Sequence, residues 1–141
     1  MKTLLVVASR TGKTKTFVPT IKKHAVGEII ECYNFDVPPM AFDKIIFGSY
    51  TWGNGKIPKK MKEYLIKYHE QLKGKDVFIF GSGLSVYPYF CGACDGINII
   101  CTDSGANVHY VFKYELRFNE TDLDEKEIRE MKNALNRFFL S

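Results

Sequence analysis

Five apolar runs of strand length, separated by helix-like or turn-rich segments, constrain the fold of this chain more than any other feature. The runs cover residues 2–8, 28–35, 43–50, 76–81 and 108–116. The first, KTLLVVA, has no polar alternation beyond its start, the pattern of a strand buried on both faces. Strands of this kind pair in parallel, because helical crossovers are what cover both faces of a sheet. The segments between them support that reading. Residues 15–25 carry Phe17, Val18 and Ile21 at helical spacing, with Pro19 predicting a late start or a kink. Pro58 is predicted at the first position of a helix bearing Met61, Tyr64, Leu65 and Tyr68. A third helix is predicted over 90–104, weakened by Gly92 and Gly96. A fourth is predicted to be capped by Thr121-Asp122, with Ile128, Met131, Leu135 and Phe138 on one face. Residues 36–42 hold Pro38-Pro39 and are too short and too rigid for a full helix.

With 141 residues and 45% hydrophobic content, the chain can bury a core of its own, and no linker or repeat divides it. One domain over residues 1–141 is expected. No apolar run approaches the ~18–20 residues of a membrane span. The apolar stretch in MKTLLVVASR is too short for an export signal, so a cytoplasmic, monomeric protein is expected. Lys and Arg total 20 against 16 Asp and Glu, a net charge of +4. The charges are interleaved, which does not indicate nucleic-acid binding. The lysine-rich segment with Lys56, Lys59, Lys60, Lys62 and Lys67 reads either as a solvated face or as a docking site for an acidic partner. The cysteines are Cys32, Cys91, Cys94 and Cys101. Cys91 and Cys94 have CxxC spacing, but no second CxxC exists and no histidine lies near in sequence, so no metal site is predicted.

In open α/β sheets, ligands bind beyond the carboxyl ends of the strands. Three loops occupy such ends. Ser9-Arg10-Thr11-Gly12-Lys13-Thr14 combines hydroxyls, a glycine and two cations just before a helix. Backbone N–H groups there attract anions, although a capped helix start accounts for the same residues. The GKT fragment is not a nucleoside-triphosphate loop, since Val7 stands where that motif needs its first glycine. The second loop, Ser49-Tyr50-Thr51-Trp52-Gly53-Asn54-Gly55, holds the only Trp, flanked by Gly-Asn-Gly. That suits a stacking wall for a planar ligand, or a Trp laid over a turn. The third loop, residues 81–91, has Gly81 and Gly83 for close backbone approach and Tyr87 and Tyr89 as a second aromatic wall. A ligand with one phosphate and a large flat ring fits the three together.

These segments resemble the flavodoxin family. Residues 9–14 resemble its (S/T)xTGxT phosphate loop, Thr51-Trp52-Gly53 its TWG loop, and YPYFCGACD at 87–95 its YxxFCGAxD stretch. The resemblance implies a flavodoxin-like three-layer sandwich with a five-stranded parallel sheet in the order 2-1-3-4-5. It implies flavin mononucleotide (FMN) as cofactor, its phosphate held by Ser9 to Thr14. Trp52 and Tyr87 would cover the two ring faces, beside Tyr50, Thr51, Gly53, Asn54 and Gly55. Ser82, Gly83, Leu84, Phe90 and Cys91 would meet the remaining edge of the flavin. The implied function is electron transfer between redox proteins, a flavodoxin reductase and an acceptor enzyme, without catalytic residues.

Departures from the family pattern are also present. Leu84 stands where many flavodoxins are acidic, and Tyr50 where a small hydroxyl residue is common. The connection after residue 28 is too short for the usual second helix, and the chain is basic. These last two features are similar to the NrdI-type flavodoxin-like activators of class Ib ribonucleotide reductase, an alternative implying ribonucleotide reductase as partner. A flavin-free interaction domain is a third reading.

Overall fold

A computed structural model describes residues 2–141. Five parallel strands, β1 (Lys2–Ala8), β2 (Glu28–Cys32), β3 (Lys44–Tyr50), β4 (Asp76–Gly83) and β5 (Asn107–Glu115), form one sheet in the order β2-β1-β3-β4-β5. Four helices cover it: α1 (Val18–His24), α2 (Lys59–Lys67), α3 (Gly92–Asp103) and α4 (Glu125–Leu140). The three-layer arrangement and strand order that the family resemblance implies are therefore present.

Alternate residues of the central strands enter two separate cores. Leu4, Val6, Ile45, Phe47, Val77 and Ile79 pack under α2 and α3, against Met61, Leu65, Cys94 and Ile97. Leu5, Val7, Ile46, Phe78 and Phe80 pack under α1 and α4, against Phe17, Ile21, Leu135 and Phe138. Phe17 anchors this second core: its ring meets those of Phe78, Phe80, Phe112, Tyr114 and Phe118 at centroid distances of 4.9 to 6.5 Å. Aromatic pairs at such spacing add roughly 0.5–1.5 kcal/mol each beyond area burial. Phe17 ends a short 3₁₀ turn, Thr14–Phe17, so this packing fixes the start of the loop before it.

The local differences from expectation have identifiable causes. Pro19 does delay the first helix, which begins at Val18 after the 3₁₀ turn. Pro58 is the N-cap of α2, one residue earlier than expected, with an extended ψ of 143°. Cys91 adopts a left-handed conformation (φ 50°), so α3 starts at Gly92 and not at Phe90. Thr121-Asp122 does not cap α4. Those residues form a 3₁₀ turn held by the Asn119 side chain, and Asp124 caps the helix by accepting from the Glu127 N–H at 2.7 Å. Asp124 and Glu127 have capping-box spacing, a stronger start signal than Thr121. Residues 33–43 contain no helix.

The two longest-range charge patterns differ between helices. α4 has Glu125 and Glu127 in its first turn and Arg137 in its last, in keeping with the helix dipole. α2 has no acidic residue in its first turn and no side-chain cap, and Lys59, Lys60 and Lys62 stand there. Cations at that end cost about 0.3–1 kcal/mol each at low ionic strength.

Opposite the carboxyl ends, Lys44 is buried with its ammonium 2.8 Å from the Ser141 carbonyl and 3.4 Å from Asp76 Oδ2. His109 Nε2 lies 2.9 Å from Asp76 Oδ1. Burial pushes the Asp76 carboxyl up, but the His109 hydrogen bond and the Lys44 charge outweigh it and leave it below the usual range. A lowered carboxyl contributes stability that is present above its unfolded value, ~3.9, and is lost as pH falls through the folded value. Asp76→Asn is thus expected to cost about 2 kcal/mol at pH 7. Urea unfolding of both proteins checks this: the difference between them should shrink toward zero in strong acid.

Candidate functional site

The strand order reverses between β1 and β3, and a cleft of about 470 Å³ opens at their carboxyl ends. Its walls come from the three loops singled out in the sequence. Clefts of ~300–1,000 Å³ are usual for cofactors.

The first loop is held from below. Thr14 is buried, and its hydroxyl lies 3.0 Å from the Ser82 hydroxyl, joining the loops after β1 and β4. Tyr114 donates its O–H to the Thr14 carbonyl at 2.8 Å. Thr16 donates to the Lys13 carbonyl at 2.6 Å and accepts from the Phe118 N–H at 2.7 Å. Ser9 Oγ accepts from the Gly12 N–H at 3.1 Å, closing the turn. Gly12 has φ +82°, a conformation that costs other residues roughly 1–2 kcal/mol. Among the described residues, the N–H groups of Thr11 and Lys13 have no protein acceptor, and Arg10 and Lys13 have no carboxylate partner. This end of the cleft therefore presents free donors and two cations.

The second loop is closed by paired backbone hydrogen bonds between Trp52 and Lys56, 2.8 and 2.7 Å long. Thr51 Oγ1 accepts the Ala93 N–H at 3.1 Å, tying this loop to the start of α3. Gly55 (φ +80°) packs directly on Tyr89: a Cβ there would sit 2.8 Å from the Tyr89 Cβ. In the third loop, Ser85 donates its N–H to the Glu115 carboxylate at 3.0 Å, and Leu116 donates its N–H to the Gly83 carbonyl at 2.6 Å. Cys91 is buried with its thiol 3.5 Å from the Gly81 carbonyl. Burial pushes that thiol up to about 12, which keeps it protonated at neutral pH and unreactive.

Of the residues expected at the site, Arg10, Thr11, Lys13, Thr14, Tyr50, Thr51, Gly53, Asn54, Ser82, Gly83, Leu84, Tyr87, Phe90 and Cys91 line the cleft. Ser9, Gly12, Trp52 and Gly55 do not; the first two close the turn after β1 and Gly55 packs on Tyr89. Trp52 is 49% exposed, with the Arg10 guanidinium 5.2 Å from its ring centroid. The arginine thus lies over one indole face, and Trp52 is not among the cleft-lining residues. Pro88, Tyr89 and Leu116 line the cleft beyond the residues expected to bind. Tyr89 was legible as an aromatic of the third loop. Leu116 has no signal in sequence, since only the pairing of β4 with β5 brings it to the cleft.

Free donors and cations at one end, with tyrosines, Phe90 and leucines at the other, suit a ligand that joins an anion to a flat apolar ring. The class so defined is a doubly wound α/β protein with a mononucleotide-type cleft at its switch point. The family model described as Flavodoxin matches residues 5–131. "Probable flavodoxin 1" of Bacillus subtilis is 30% identical over 136 residues, covering 91% of this chain and 85% of the relative. The crystal structure of oxidised Flavodoxin 1 from Bacillus cereus superposes with a TM-score of 0.77 at 26% identity, covering 98% of this chain and 97% of that one. Oxidised Flavodoxin 2 from Bacillus cereus does so with a TM-score of 0.72 at 30% identity and the same coverage.

The chain belongs to the flavodoxin family. FMN-dependent electron transfer is the function of that family, and these matches favour it over the reductase activator and over a flavin-free module.

Proposed function

We propose that this cleft holds FMN and that the chain carries electrons one at a time between a flavodoxin reductase and an acceptor enzyme. The carrying observation is the Thr14–Ser82 contact, which locks the cation-bearing loop to the aromatic one around a single cleft. FMN supplies the redox chemistry when bound; the protein binds, orients and shields it. Arg10, Lys13 and the free N–H groups of the first loop hold the phosphate. Tyr87 and Tyr50 would bound the ring, and Trp52, at the edge of the same loop, would supply a further stacking face. Leu84 and Leu116 would exclude water from the ring end and offer it no charge, while Arg10 and Lys13 would face the phosphate. Cys91 keeps its proton and fills space. The protein works as a cytoplasmic monomer, with neither nucleic acid nor membrane as partner.

The test is titration of the purified chain with FMN. One equivalent is expected to bind and to quench the fluorescence of the sole Trp, and anaerobic reduction is expected to proceed in two separate one-electron steps. A chain that ignores FMN would refute the reading. Trp52→Ala is expected to weaken FMN about tenfold and to shift both potentials, since aromatic stacking contributes roughly 0.5–1.5 kcal/mol. Unchanged affinity and potentials would remove Trp52 from the site.

A further inference from the structure

From the charge and aromatic surface around the cleft, we infer that the redox partner of this chain docks with an acidic face on a lysine patch formed by Lys56 and the first turn of α2. The inference rests on the electron-carrier reading and names the chemistry of its partner.

Lys56, Lys59, Lys60 and Lys62 are all exposed. Among the described residues, Lys56, Lys60 and Lys62 have no carboxylate partner, and Lys59 has only Glu63 at 3.9 Å with both side chains open to solvent. The patch is continuous with the cleft. Lys56 is hydrogen-bonded through its backbone to Trp52, and Gly55 between them packs on Tyr89. Trp52, Tyr87 and Tyr89 are each about half exposed or more. The surface thus has an aromatic centre beside the cofactor cleft and a cationic rim on one side, the anatomy of a docking site.

Asp95 pairs with Lys113 at 2.8 Å. Glu115 accepts the Ser85 N–H and keeps its charge, but it stands at the end of β5, away from α2. Within the patch itself the four lysines face one carboxylate, Glu63, so the patch is positive. Lys67 lies eight residues beyond Lys59, roughly 12 Å further down the helix at ~1.5 Å per residue, and falls outside the patch. Its exclusion sharpens the surface to the cleft end.

A solvated face does not explain where these lysines stand. They crowd the positive end of the α2 dipole, uncapped, while α4 in the same chain has acids and a cap at that end. A local rule broken at the edge of a functional cleft, and kept elsewhere, points to a partner that the lysines serve.

The experiment uses FMN-loaded protein, reduced anaerobically, and two haem-protein acceptors of opposite surface charge. One is the acidic haem domain of cytochrome b5 and the other is lysine-rich cytochrome c. Each ferric haem takes one electron and becomes ferrous, so the reduced protein serves two acceptors in turn. The acidic acceptor is expected to react faster as salt is lowered, and the basic one slower. The combined variant Lys56→Glu, Lys59→Glu, Lys60→Glu and Lys62→Glu is expected to slow the acidic acceptor at least ~10-fold at low ionic strength and to invert both salt dependences. Its melting temperature is expected to rise, because acids now stand at the α2 N-terminus, so a slower rate is not a folding defect. A salt-independent rate with the acidic acceptor, or a variant that keeps that rate, overturns the inference. So does salt-sensitive binding to phosphatidylserine vesicles without discrimination between acceptors, which assigns the patch to a membrane surface. Failure to take up FMN defeats the carrier reading itself; normal uptake with unaltered rates defeats only the docking surface.

Discussion

Lys13→Glu is expected to lower FMN affinity by about 100-fold, ~2.8 kcal/mol at ~1.4 kcal/mol per tenfold, while leaving riboflavin affinity nearly unchanged. Lys13 lines the cleft, has no carboxylate partner among the described residues, and sits beside N–H groups that lack acceptors. A glutamate there sets like charge against the phosphate at a half-buried position, where screening is weaker than in bulk water. Riboflavin has no phosphate, so it reports on the ring end alone. Equal losses for both ligands would mean that Lys13 holds the loop and not the anion. An unchanged preference for FMN would place the phosphate elsewhere.

The second large effect falls on folding. Gly81→Ala is expected to destabilise the chain by about 3 kcal/mol, the upper part of the range for overpacked cores. A Cβ at Gly81 would lie 2.3 Å from the Cys94 sulfur and 2.7 Å from the Ser49 carbonyl oxygen. Gly81 is where β4, paired with β3 at Ser49, passes beneath α3, immediately before the cleft residues Ser82 and Gly83. Adding Cys94→Ala removes one of the two obstacles and should restore about half of the loss, whereas the Ser49 carbonyl cannot retreat without breaking β3. Denaturant midpoints of the single and double variants measure that coupling. Full additivity would show that α3 moves aside freely.

Both predictions concern residues whose roles differ in visibility. Lys13 was visible in sequence as a cation in a hydroxyl- and glycine-rich turn. Gly81 was visible as a small residue at a strand end, but its obstacle, Cys94, emerged only from packing. The CxxC spacing of Cys91 and Cys94 corresponds to two buried sulfurs filling space beside Gly81 and Gly83. The start expected for α4 at Thr121-Asp122 lies too early because Asp124 with Glu127 forms the stronger local capping box.

By itself the sequence determined the alternation of buried strands and helices, and hence the parallel sheet. It also determined the three strand-end loops, since hydroxyls, glycines and aromatics sit there in local runs. Those are short-range properties, set by periodicity and by backbone freedom within a few residues. Only the tertiary structure decided which side chains share the cleft. It joined Thr14 to Ser82 across 68 positions, brought in Leu116 by strand pairing, and left Trp52 half exposed beside Arg10. It also paired the Lys56 and Trp52 backbones, which sets the first lysine of that segment beside the Trp52 loop. The physical reason is that contacts between distant segments are selected by packing two cores against one sheet, and no local pattern records that choice.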